Sequence, residues 1–275
     1  MTDNEIKALL SLLDDEDNEV FLHVSKRIVS LGTRLIPYLE DEWGSSLNSL
    51  KQKRIEDLIH SLQFNSLKLK ISLWAKSDTQ ELLEGIYLVA LYQYPELDFT
   101  DLKKNVEQLY YDVWLGMETG LHPLDQVKKI NLGIFQKLRF SANTKNFHAP
   151  SNSMINIVLE KRKGNPISLC IIYLLIAQKL NMPIYGVNLP NLFVLTYKSE
   201  QHQFYINVFN KGLIFSKADI DTYTRQLNIE SQKKFYEPCS NVDIIQRVFR
   251  NLIHSFERLG DLERVAELKE LYSLL

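Results

Sequence analysis

Residues 159–190, LEKRKGNPISLCIIYLLIAQKLNMPIYGVNLP, constrain the fold more than any other stretch of the chain. Lys161, Arg162 and Lys163 read as a solvated basic flank, although such a run ahead of a helix could also hold an anion. Gly164 admits backbone angles that other residues resist, and Pro166 suits the first helical turn, where its missing N–H costs little. Over 168–180, Leu169, Ile172, Tyr173, Ile176, Ala177 and Leu180 recur at helical spacing. Cys170, Ile171, Leu174 and Leu175 make most of the remaining circumference apolar, which predicts a helix buried on nearly all sides. Asn181, Met182 and Pro183 end it, and 184–189 reads as a short strand.

A chain of 275 residues can bury a substantial core as one large domain or two small ones. Its formal charge of -2 lacks the basic excess of nucleic-acid-binding or anionic-lipid-binding surfaces, so neither nucleic acid nor membrane is expected as an obligatory partner. Charge interrupts every apolar run well before the ~20 residues of a bilayer span. The acidic opening MTDNEIKALL lacks a secretory n-region, so a cytoplasmic location is expected. Two cysteines, Cys170 and Cys239, give neither a disulfide framework nor a zinc motif. His23, His60, His122 and His254 fall on helices without metal-ligand spacing; no metal and no cofactor is expected.

Upstream, Ile6, Leu9, Leu10 and Leu13 form one helical stripe and Val20, Val24, Ile28 and Leu31 a second, with a polar turn over 14–18. With Leu35 to Trp43 this order resembles a HEAT-type hairpin, and a looser second unit is expected from Leu50 to Trp74. Helices follow over 80–96, 102–117 and from His122 to about Leu138, and 139–153 reads as an ordered, Asn-rich loop. Beyond the central helix the period changes to two: Phe193, Leu195 and Tyr197, then Phe204, Ile206 and Val208, alternate with more polar positions. A short strand over 212–215, a Ser216-capped helix and a helical hairpin over 243–274 that resembles a TPR unit complete the chain.

The motif RKGNPISL, the helix after it, GVNLP, YINVFNKG and FYEPCSN, with Asn143, Thr144 and Lys145 upstream, resemble the SirB-type transglutaminase-like family over most of residues 80–275. The resemblance implies an α+β fold, mainly helical, with a transglutaminase-like core of a central buried helix on a small antiparallel sheet. HEAT-like and TPR-like helices would flank it, with divisions at 1–78, 79–235 and 236–275. It also implies where chemistry would sit, since related enzymes place Cys at the start of the central helix and His and Asp on the next two strands.

Counted back from Pro183, that cysteine falls on Pro166; the resemblance puts the His, on the strand after NLP, at Leu192 and the Asp, on the strand after that, at Asn207. Ser168 and Cys170 lie about 3 and 6 Å farther along the helix, and Cys170 falls in its apolar part. The expected protein is therefore a non-catalytic transglutaminase-like module that binds a protein or peptide partner, its groove lined by Asn165, Ser168, Asn188, Asn191 and Asn207. The same residues could equally satisfy backbone groups at bends. The alternative is a thiol- or hydroxyl-dependent amidase, protease or acyltransferase that uses Ser168 or Cys170 with His202, or with His148 on the Asn-rich loop, and Asn207. Cys239 could be an activated thiol if exposed at a helix N-terminus. Nothing in the sequence specifies the oligomeric state.

Overall fold

The computed structural model describes residues 2–15 and 17–275, which divide into two compact units, Met1–Ser72 and Leu73–Leu275. In the first, α1 (Asp3–Ser11), α2 (Asn18–Leu31), α3 (Ile36–Ser45) and the opening turns of α4 (Ser49–Ala75) enclose an apolar cluster. Ile6, Leu10, Val24, Ile28, Leu39 and Ile55 are at its centre. Local signals set the helix ends: Thr2 and Glu5 form a reciprocal capping box, Asp17 caps α2, and Gly32 leaves it with a φ of 80°. Arg54 on α4 donates to the carbonyls of Leu13 and Asp15, and buried Lys51 pairs with Glu42 at 2.6 Å. The second hairpin expected from Leu50 to Trp74 is one continuous helix, α4, because no glycine or proline interrupts those 27 residues.

In the second unit, α5 (Leu82–Leu91), α6 (Phe99–Trp114) and α7 (Pro123–Asn131) precede the central helix, α7 running on through a π-type turn over Leu132–Lys137. A two-residue strand β1 (Ser141–Ala142) pairs in parallel with β2 (Lys163–Gly164), and α8 (Ile155–Lys161) lies between them. The central helix α9 (Pro166–Lys179) follows at once and is buried continuously from Ile167 to Ala177. Full burial of each large aliphatic side chain is worth roughly 1.5–3 kcal/mol, so this helix supplies much of the unit's cohesion.

The sheet is a simple antiparallel meander of β3 (Ile184–Leu189), β4 (Leu192–Lys198), β5 (Gln203–Asn207) and β6 (Leu213–Phe215). Leu189 stands opposite Leu192, and Lys198 opposite Gln203. The alternation expected in β4 is absent: Phe193 to Tyr197 are all buried, because both sheet faces are covered. Helix α9 packs on one face. Val187, Leu189, Val194 and Tyr205 meet Ile220 of α10 (Lys217–Gln226) and Phe235 in a cluster of their own. Thr196 stays satisfied there by donating its hydroxyl to the Phe204 carbonyl at 3.1 Å.

Helices α11 (Asn241–Leu259) and α12 (Leu262–Tyr272) turn at Gly260 and fall in the same compact unit as α9, with α11 packed on α5, α9 and β3. Arg162, expected to be a solvated flank, instead closes α8 in the left-handed region, φ 55°, with its guanidinium 4.8 Å from the centre of the Phe140 ring. Where α5 crosses Trp74 there is no spare room: a Cβ on Gly85 would lie 2.5 Å from the indole and 2.9 Å from Ile245. Gly85→Ala is therefore expected to destabilise the chain by about 1–3 kcal/mol, read as a lower urea midpoint with unchanged slope.

Candidate functional site

The site grows from the start of α9. Asn165 is the N-cap: its Oδ1 accepts from the Ser168 backbone N–H at 2.9 Å, and its own N–H donates to Ser168 Oγ at 3.0 Å. The Asn165 Nδ2 donates to Ser153 Oγ at 2.9 Å, which ties the cap to the end of the Asn-rich loop. That loop is locked in turn, since Asn143 donates to Asn152 Oδ1 and Asn152 donates to the carbonyls of Asn146 and Phe147. The Asn143 N–H donates to the Gly164 carbonyl at 2.9 Å. A Cβ on Gly164 would stand 2.3 Å from Ser168 Oγ, so only glycine leaves room for this reciprocal cap.

Beside that junction is a cavity of about 100 Å³. Pro166 and Ile167 form one wall, Phe147 and His148 of the loop another, and Asn191 and Phe193 a third. Arg247, Asn251, His254 and Ser255 close it from α11, where the spacing of four, three and one puts them on one helical face. Arg247 donates through Nη1 to Asn188 Oδ1 at 2.8 Å and to the Leu189 carbonyl at 3.3 Å. The His148 and His254 rings meet edge to face, 5.4 Å apart. His148 is exposed, and the slight desolvation of its ring, then the charges of Arg258 and His254, lower its pKa.

Of the five groove residues expected from sequence, Asn165 and Asn191 line the cavity and Asn188 holds Arg247. Asn191 sits in the β3–β4 turn with φ 56°, a left-handed conformation that asparagine tolerates better than most residues. Ser168 is spent in the cap. Asn207 ends β5 and accepts from the Asn210 N–H, away from the cavity lining.

Of the alternative catalytic set, Cys170 and His202 are not brought together. The Cys170 thiol is fully buried against the Phe193 carbonyl at 3.7 Å, and burial raises its pKa well above the ordinary thiol range. His202 lies past the other end of β4, its ring 5.1 Å from His122. The five residue steps from Phe193 to Lys198 span about 17 Å of strand, so that imidazole stands far from the thiol. Nor is Cys239 activated, because burial and then Asp243 push it up to about 12, and Ser240, not Cys239, caps α11. Arg247, Asn251 and the His148–His254 contact were the parts missed in sequence. Their legible trace is the polar stripe 247, 251, 254, 255 on a strongly amphipathic helix.

Comparison with known proteins agrees with this architecture. The family model of the Transglutaminase-like superfamily matches residues 100–250, from α6 into α11. The chain therefore belongs to the transglutaminase-like superfamily. A UPF0162 protein of Xylella fastidiosa is 29% identical over 214 residues, 72% of this chain and 75% of that protein. A UPF0162 protein of Pasteurella multocida is 41% identical over 79 residues, 29% of this chain and 30% of that one. Mouse F-box only protein 21 is 26% identical over 139 residues, 48% of this chain and 22% of its own length. No solved structure matches the chain. Among the described residues, no helix is long and apolar enough to cross a membrane, and no three His, Cys, Asp or Glu residues form a cluster that could hold a metal.

The buried thiols make a direct expectation. A pKa near 12 leaves on the order of a thousandfold less Cys239 thiolate at neutral pH than an ordinary thiol has, and Cys170 has no access. Iodoacetamide at neutral pH should leave both unlabelled in the folded chain and label both in urea, as read by peptide mass; rapid native labelling of Cys170 would show a reachable nucleophile.

Proposed function

We propose that this chain is a non-catalytic transglutaminase-like protein of the SirB type that binds a protein or peptide segment at the start of its central helix. One observation carries the reading. The place where the enzymes of this fold present their nucleophile is occupied by Pro166 at the first turn of α9, yet a polar cavity is kept open around it. Proline has no group that can attack a carbonyl. Leu192, at the position of the expected His, supplies no base. Catalysis by a relocated pair is disfavoured by the burial of Cys170 and by the strand length between it and His202.

Within this reading the helices ahead of the core are a HEAT-like layer and α11–α12 a TPR-like hairpin, both architectures that serve as interaction surfaces in other proteins. The divisions 1–78, 79–235 and 236–275 follow from it, as does a cytoplasmic place of work. The relative named F-box only protein 21 carries the similar segment within a much longer chain, which suits a module used for interaction.

A photo-crosslinking residue at Asn191, on the rim of the cavity, is expected to give discrete crosslinked species in cells, and one at exposed Lys26 is not. In parallel, purified protein should release no ammonia from glutamine peptides and incorporate no amine. Turnover that disappears in Cys170→Ala would overturn the proposal in favour of an enzyme.

A further inference from the structure

Resting on the binding reading above, we infer that the cavity at the start of α9 is a carboxylate-binding site, built to take the acidic side chain or free C-terminus of a peptide. Among the described residues, its lining contains Arg247, His148 and His254 and no aspartate or glutamate. Arg250 and Arg258 on the same helix add positive charge close by, since each acts electrostatically on a lining residue, Arg250 on Arg247 and Arg258 on His148. Helix α9 starts at the cavity wall, and its N-terminal dipole end favours an anion there, as a supplement to the arginine.

Arg247 is the recognising group. It is half-buried, and among the described residues it makes no ion pair; both its hydrogen bonds leave from Nη1, to Asn188 and Leu189. Its Nε–H and Nη2–H donors therefore have no protein acceptor, although burial pulls its pKa down and makes an uncompensated charge there costly. A planar carboxylate accepts two parallel bonds from that edge of a guanidinium. The acids nearest on the chain are already committed. In the adjoining cleft, which Arg247 also lines, Asp243 accepts from Ser240 and Glu237 is paired with Lys198. The cavity's size suits a group of a few heavy atoms rather than a folded surface.

His148 gives the site a pH response with a definite sign. His148 meets His254 and Arg258, both from α11, and the α9 and β4 walls contribute only Asn165, Pro166, Ile167 and Phe193, none of them titratable. In the empty cavity this cationic company disfavours protonation of His148. A bound carboxylate favours it, so binding takes up protons and tightens as pH falls through the histidine range.

The test is a titration of the full chain, isotopically labelled, with sodium acetate at constant ionic strength set with chloride, read at the Arg247 Nε–H and the two imidazole rings. Saturable shifts with a Kd on the order of millimolar are expected, with the His148 imidazole pKa rising. Asn251→Asp, which puts a carboxylate beside Arg247 and removes no side-chain hydrogen bond seen in the structure, should weaken acetate by about tenfold to a hundredfold. Arg247→Lys should do the same, and thermal unfolding of both variants separates lost binding from lost folding. Shifts linear in acetate, or unaffected by Asn251→Asp in a folded protein, would overturn the site. Methyl phosphate binding where acetate does not would overturn the carboxylate assignment. Acetylated tri-alanine with a free C-terminus and acetyl-Ala-Glu-Ala amide then distinguish a terminal from a side-chain carboxylate. If acetate binds and neither peptide does, the carboxylate site stands and the peptide-binding reading falls.

Discussion

The second unit depends on one polar junction, the reciprocal cap between Asn165 and Ser168 with its third bond to Ser153. An almost wholly apolar helix has no surface of its own to show where it should begin. Without a cap the first N–H groups of α9 would be buried and unpaired, at a cost of about 1–3 kcal/mol each. Asn165 satisfies one directly, and Pro166 removes another by having no N–H. The bond to Ser153 carries this order into the Asn-rich loop, and the β1–β2 pair ties the loop's other end to the residues just ahead of the cap.

That arrangement also decides what chemistry the junction can do. An enzyme of this fold needs the first turn of the central helix to present a nucleophile to solvent. Here the same turn is used up in closing the backbone: Asn165 and Ser168 have their polar atoms in cap bonds, and Pro166 has none to offer. Cys170, one turn on, points its sulfur at a strand carbonyl inside the core. The polar groups still able to meet a ligand come from elsewhere, from the β3–β4 turn, the loop and α11.

Much of the fold was legible because it rests on strong local signals. The breaker GNP, the uninterrupted apolar run and the NMP stop bound α9; β3 follows that stop as a short strand; Ser216 starts α10 as a cap should. What was not legible lacked such signals. Helix α8 is seven residues long and ends in charge, so its buried face of Ile155, Val158 and Leu159 is too short to show a period. Strands β1 and β2 are two residues each, and β4 shows no alternation because α9 covers one face while Ile220 and Phe235 cover the other. The asparagines were ambiguous for a physical reason, since the side chain that caps a helix is the one that lines a groove. Asn165 does both, Asn191 lines, and Asn207 only caps.

Arg247, Asn251 and the facing of His254 toward His148 escaped notice for a different reason. On an amphipathic helix a polar stripe is read as the solvent side, and on α11 it is the side that faces the cavity. Helix α11 can carry this stripe because its cohesion lies on its other residues: Ile244, Ile245, Val248, Phe249, Leu252 and Phe256 are buried, and the Ser240–Asp243 box and Gly260 fix its ends. Substitution at Asn251 or His254 therefore does not reach the core, whereas any change at Asn165 or Ser168 disturbs the cap on which α9 depends. Specificity in this fold can vary on α11 while the central helix stays constant. On the proposed reading, a transglutaminase-like scaffold with proline at the start of its central helix draws the chemistry of its cavity from α11 and not from that helix.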